Sequence, residues 1–276
     1  SKGYVGATIN YSLRNNTNNA TLYDMSDEIK QGVTAIVKAA AERGYPVDAM
    51  AVAGGSAGGN LAMTYAYRDA KQGPVPVKAV ISFVGPASFE PADWFALPDR
   101  SYATDQAATA GAGFVKVITG KDVTLDDMRT GQYKTYLRDV SPCDLVTKDS
   151  PPTLAAYGAL DKVAPYAAST CLATALETNA VPHDVLAAEA HEPAERLAEA
   201  VRIVLEQLAM ERVRAGLREH EPGAARRRGR ERQRDLDHVR PGGGERRAGG
   251  VERALHAGLA DDAAEAGRHA DPDAVE

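Results

Sequence analysis

The sequence predicts an α/β fold, with a mostly parallel sheet, helices on both faces and a long insertion between two strands. Three observations carry this. Short apolar runs alternate with segments of helical apolar spacing, which is the order of βαβ units. One run, Val77 to Val84, is almost continuously apolar, as a strand covered on both faces must be. The stretch "AVAGGSAGGNLA", residues 51–62, sets one serine among four glycines directly after an apolar run.

Along the chain, Tyr4 to Asn10 is expected as a strand. Met25 to Arg43 is expected as a helix, with Met25, Ile29, Val33, Ile36 and Ala40 on one face. "DAMAVA", Asp48 to Ala53, reads as a buried strand, and Asn60 to Lys71 as the helix that follows it. Thr153 to Tyr157 and His183 to Ala188 are further short strands. Leu197, Val201, Val204, Leu205 and Leu208 mark a long amphipathic helix. No internal repeat is present.

Ser56 therefore sits between a strand and a helix. A tight turn there needs unusual backbone angles and close strand–helix contact, and glycine, without a Cβ, tolerates both. The spelling Gly54-x-Ser56-x-Gly58 fits a nucleophile elbow, which exposes a serine hydroxyl above a sheet. The same turn aims the N–H of Ala57 at a developing oxyanion. The plainer alternative is a flexible glycine loop.

"GGSAGGNLA" resembles the serine elbow of α/β-hydrolase esterases, notably the hormone-sensitive-lipase-like and feruloyl or acetyl esterase branches. The resemblance runs from about Gly3 to Gln207, through "GYVGATINYSL", "VKAVISFVGP" and "SPCDLVTKDSPPTLAAYGALDKVAPY". It implies a carboxylic ester hydrolase working through a Ser-His-Asp triad and an acyl-enzyme. Those branches often carry Asp or Glu just before the serine, where this chain has Gly55.

A serine hydroxyl needs a base, and the base an orienting acid. In this fold they follow in the order serine, acid, histidine. Asp161 is the expected acid, because it follows a strand and a "YGALD" turn, whereas Asp144 and Asp149 precede that strand. The alternative for Asp161 is a loop charge or helix cap. His191, in "LAAEAHEPAERL", lies after a strand and before a helix, where the family puts its histidine, although Ala190 stands in place of the usual glycine. The alternative for His191 is a surface histidine. His183 begins its strand and so belongs at the sheet's other end. The family's second oxyanion donor comes from a glycine-rich loop, often His-Gly, before the strand matched by Tyr4 to Asn10. No "HGG" precedes Ser56, so either that loop and the first strands are expected upstream of residue 1 or the oxyanion hole is built another way.

Residues 86–140 interrupt the strand–helix rhythm and are expected to form a cap over the serine. Trp94 and Phe95 are candidates for an apolar acyl or aryl pocket there. The alternative is that such aromatics form the cap's own small core.

With 276 residues and a net charge of −6, residues 1–210 can form one hydrolase domain, and no polyanionic partner is expected. No apolar run is long enough to span a bilayer. Cys143 and Cys171 form no disulfide scaffold and are expected as two reduced, buried thiols, with pairing left open for a secreted chain. The compartment stays open, the cytoplasm slightly favoured.

From Glu211 onward the chain has no Ser, Thr, Asn, Lys, Ile, Met, Cys or aromatic residue. Residues 211–276 are expected to be disordered or loosely helical. So abrupt a change is what a shifted frame of GC-rich DNA would produce. Arginines interleaved with acids and lacking aromatics argue against nucleic acid. The expected partner is a small ester, with a homo-oligomer possible and with neither metal nor organic cofactor. The rival is a catalytically impaired hydrolase-fold binding or interaction module.

Overall fold

The computed structural model describes residues 4–15, 17–161 and 163–188. All fall within Ser1–Gly216, the first of two units into which the chain divides. The first helix, α1 (Leu22–Glu42), starts at a capping box: the Thr21 hydroxyl accepts from the Asp24 amide, and the Asp24 carboxylate accepts from the Thr21 amide. The expected apolar stripe of α1 is present, with Val33 and Ala40 buried on it.

Next come β1 (Met50–Gly55), α2 (Ala57–Thr64) and β2 (Val77–Phe83). The helix α2 widens into a π turn over Tyr65–Asp69 before ending. The insertion of residues 86–140 then contributes α3 (Pro91–Trp94), α4 (Asp105–Thr119), α5 (Leu125–Thr130) and α6 (Lys134–Leu137). The chain returns through α7 (Pro142–Leu145) to β3 (Thr153–Gly158), α8 (Ala167–Thr178) and β4 (His183–Ala188). The sequence expectations had omitted α8, although Ala168, Leu172 and Leu176 mark its buried stripe.

All four strands run parallel, in the spatial order β1-β2-β3-β4. Right-handed crossovers that step steadily in one direction put every connection on the same face. That face carries α2 and α8, where Met63, Tyr67, Leu172 and Leu176 pack with Val80 and Ala155. On the opposite face Ile81 and Leu154 are buried, with Phe83 and Leu186 against them. The helix expected near Leu197 to Leu208, and the tail from 211, lie outside the described residues. The insertion builds its own cluster from Phe89, Tyr102, Val115, Met128 and Tyr133, resting on Leu22 of α1 and Leu61 of α2. No helix among the described residues is long and apolar enough to cross a membrane.

Three expectations are corrected. Tyr4 to Asn10 is not a strand. It runs along an open groove of about 1020 Å³ that is also lined by α1, β1 and α2, and it joins no sheet ladder among the described strands. A strand exists only where its backbone groups are paired. Second, β1 is not fully buried. Its residues alternate between half-buried and exposed, because only β2 pairs with it among the described strands.

Third, Cys143 and Cys171 are joined in a disulfide, with Cα atoms 5.8 Å apart, and both are only half-buried. Backbone ties bring them together. The Cys143 amide donates to Ala87 O, and the Ala87 and Ser88 amides donate to Ala168 O in α8. A separation of 28 residues concealed this proximity.

Candidate active site

The turn between β1 and α2 holds Ser56 at φ 50° and ψ −123°. A side chain other than glycine is costly in that region and persists only where its surroundings enforce it. Here the Ser56 amide donates to Phe83 O at 2.8 Å, and Ser56 O accepts from the Gly59 and Asn60 amides at 2.9 and 3.2 Å. The serine is thus pinned to the neighbouring strand on one side and to the first turn of α2 on the other. Ser56 and Ala57 are both exposed. As the first residue of α2, Ala57 has an N–H with no acceptor inside the helix.

The glycines around the serine serve different purposes. A Cβ on Gly54 would lie 2.2 Å from Gly58 O, so strand and helix touch backbone to backbone. A Cβ on Gly55 would meet nothing closer than Phe83 O at 4.0 Å. Position 55 therefore has room for a side chain, and Gly55 leaves the turn intact.

A second strained residue sits beside the first. Val84, directly after β2, has φ 47°, rare for a β-branched side chain. Its amide donates to Ala156 O at 2.7 Å. The ends of β1, β2 and β3 are therefore cross-tied where Ser56 emerges. Nothing in composition or spacing marks Val84 in the sequence.

Asp161 follows β3 at the same edge of the sheet. Its Oδ1 accepts from the Val163 and Ala164 amides at 2.7 and 3.1 Å. It is half-buried, and its amide closes a turn onto Gly158 O. His191 lies outside the described residues. The strand before it, β4, runs parallel to β3 with Ala188 beside Gly158, at the Asp161 end. His183 pairs with Thr153 at the opposite end, as expected, and its Nδ1 lies 2.8 Å from Val181 O.

Trp94 and Phe95 belong to an aromatic cluster inside the insertion. Trp94 stacks on Phe89 with ring centroids 5.7 Å apart, and Phe95 meets Phe114 edge-on at 5.6 Å. The Trp94 indole N–H donates to Ser88 O. Trp94 is partly buried against the insertion's own cluster, whereas Phe95 is 44% exposed, and neither residue lines the groove. The insertion leans on α1 and α2 and leaves Ser56 exposed.

Within the insertion Tyr102 and Tyr133 both donate to Glu90 Oε1 at 2.6 Å. Burial first, then the Glu90 carboxylate, pushes both phenols well up, so they stay neutral donors. Among the described residues no group of three or more His, Cys, Asp or Glu could hold a metal ion.

The profile of the BD-FAE family matches residues 1–176, well over half of the chain. The chain belongs to the BD-FAE family. Esterase B from Lactobacillus rhamnosis inhibited by a C4-C4 SN3 tributyrin phosphonate is similar in structure to this BD-FAE chain. The TM-score is 0.53 and the identity 18%, over 75% of this chain and 66% of that one. The same esterase inhibited by a C6-C4 SN3 compound gives 0.52 at 18% identity, over 72% and 66%. Without inhibitor it gives 0.51 at 18% identity, over 72% and 65%. The BD-FAE chain thus spans just under two thirds of the length of that esterase, and the likeness establishes the α/β-hydrolase fold. No curated protein sequence matches at a significant level.

Proposed function

We propose that this BD-FAE chain hydrolyses carboxylic esters of small or medium acyl or aryl groups through Ser56, His191 and Asp161. One observation carries the reading: Ser56 is exposed at φ 50°, held there by backbone hydrogen bonds to β2 and α2. Such strain clusters at functional sites, and among the described residues Ser56 is the one strained non-glycine residue that carries a hydroxyl.

Spacing supports the partners. Ser56 and Asp161 follow strands two places apart, about 9–10 Å in a sheet. An imidazole with a hydrogen bond at each end spans about 7–8 Å, so one histidine bridges the gap with the loops closing the remainder. His191 comes three residues after β4, the strand beside Asp161. The two amides on Asp161 Oδ1 fix its carboxylate and leave Oδ2 for an imidazole N–H.

In the reaction Ser56 Oγ attacks the acyl carbon while His191 takes its proton. Charge gathers on the carbonyl oxygen, where the Ala57 N–H meets it. As the tetrahedral intermediate collapses, the C–O bond to the alcohol breaks and His191 returns the proton to the departing alkoxide. Water, deprotonated by His191, then releases the acid and restores Ser56. Asp161 holds the imidazole and stabilises its charged form. Trp94 and the exposed Phe95 are the insertion's candidates for contact with an acyl or aryl group.

The test is twofold. A fluorophosphonate should form its adduct on the peptide containing "GGSAGG", and Ser56→Ala should abolish both labelling and turnover of a short p-nitrophenyl ester. A folded chain that neither labels nor turns over would make this a binding module on a hydrolase fold.

A further inference from the structure

Asn60, four residues after Ser56 in α2, is 1% exposed. Its side-chain nitrogen donates to Pro86 O at 2.9 Å and to Val140 O at 3.1 Å. Those carbonyls stand at the two ends of the insertion, where it leaves the sheet after β2 and where it returns before α7. The orientation of the amide follows from chemistry: only the NH₂ group has two hydrogens for two acceptors, and the reverse would press Oδ1 against both carbonyls.

Asn60 Oδ1 is buried without a partner among the described residues. A leucine or alanine would avoid that burden, so the amide is kept for its donors. Hydrogen bonds elsewhere tie the same region together. The Phe89 amide meets Ser141 Oγ at 3.4 Å, and the Cys143 amide meets Ala87 O at 3.0 Å.

We propose that Asn60 is a positioning residue: it clamps both roots of the insertion to the first turn of α2 and so sets the room between the insertion and Ser56. Its backbone amide donates to Ser56 O at 3.2 Å, so one residue is bonded to the serine and to both roots. Ester size preference then depends on this clamp. That consequence rests on Ser56 being the nucleophile, whereas the clamp itself does not.

The experiment has two arms on the full chain, using Asn60→Leu, with Asn60→Ala as a second variant. In hydrogen exchange, loss of two hydrogen bonds should speed the Ser88, Ser141 and Cys143 amides about 10- to 30-fold, with the Val80 amide of β2 unchanged. In kinetics, KM for a long-chain p-nitrophenyl ester should rise about tenfold or more, while kcat for the acetate ester stays within about twofold. A lower melting temperature alone, with exchange at the roots and the ratio of long to short esters unchanged, would overturn the proposal. If neither variant folds, exchange in the native chain decides. The Ser88 and Ser141 amides should then open with one common protection, and protections differing more than tenfold would refute the clamp. A chain inert toward every ester and unlabelled at Ser56 removes the nucleophile assignment but leaves the exchange arm in force.

Discussion

Gly54 and Gly58 of one motif should respond to the same substitution in opposite ways. In Gly54→Ala the new methyl would sit 2.2 Å from Gly58 O, 2.3 Å from Gly58 C and 2.7 Å from Gly59 N. All three are backbone atoms of the first turn of α2, so none can swing aside. Relief requires moving strand against helix by roughly an ångström, and an angle opened by about 15° already costs about 4 kcal/mol. The expected destabilisation is about 3–5 kcal/mol, at the far end of single substitutions. Gly58→Ala meets nothing within 4 Å and lies inside α2, where alanine is favoured over glycine by about 0.5–1 kcal/mol. It should leave stability level or raise it. Gly55→Ala, with 4.0 Å of clearance, should be close to neutral. Urea unfolding followed by circular dichroism, and by fluorescence of the sole tryptophan, Trp94, measures all three. Gly54→Ala within 1 kcal/mol of the parent, or Gly55→Ala as costly as Gly54→Ala, would refute the backbone-contact argument.

Reducing the Cys143–Cys171 disulfide, or replacing Cys143 by serine, should lower stability by about 3–4 kcal/mol, the chain-entropy value for a 28-residue loop. Unchanged melting with and without reductant would contradict it. Thr21→Ala should cost about 1 kcal/mol through loss of the α1 cap. The Thr21 hydroxyl, then its amide, holds the Asp24 carboxyl below its ordinary value of 3.8. The part carried by the carboxylate is complete above that value and lost as pH falls through the lowered one, so the gap between variant and parent should narrow in acid, the bond from the Asp24 amide to the Thr21 hydroxyl remaining. His191→Ala should cut ester turnover by at least about a thousandfold. His183→Ala, at the far end of the sheet, should leave turnover nearly unchanged, and the reverse pattern would remove His191 from the mechanism.

The parts of this molecule legible in the sequence are those with local causes. The near-continuous run at Val77 to Val84 identified β2 because both of its faces are covered. The glycines around Ser56 announced a strand–turn–helix because few other residues let a strand and a helix touch. That Asp161 follows a strand was legible from the apolar run before it. What failed was non-local. Tyr4 to Asn10 has a strand's composition, but strand identity depends on a neighbour the pattern cannot see. The disulfide depended on two helices meeting across 28 residues. Asn60 looked like an ordinary helix residue, since its importance lies in two carbonyls 26 and 80 residues away. Trp94 and Phe95 illustrate a different limit: aromaticity marks a cluster but does not say which cavity, if any, it faces.

The parallel ladder has a consequence for how such a molecule can change over time. Ser56 and Asp161 project from strands whose separation is dictated by backbone hydrogen bonding through β2, and that spacing is indifferent to side chains. The insertion of residues 86–140 hangs from the end of that middle strand, so its length and sequence can drift without altering the distance between the two polar groups. Variation in what the protein accommodates is thereby uncoupled from variation in what it does to it. Lineages could exchange whole insertions as modules, provided that Pro86 and Val140 still present their carbonyls to α2.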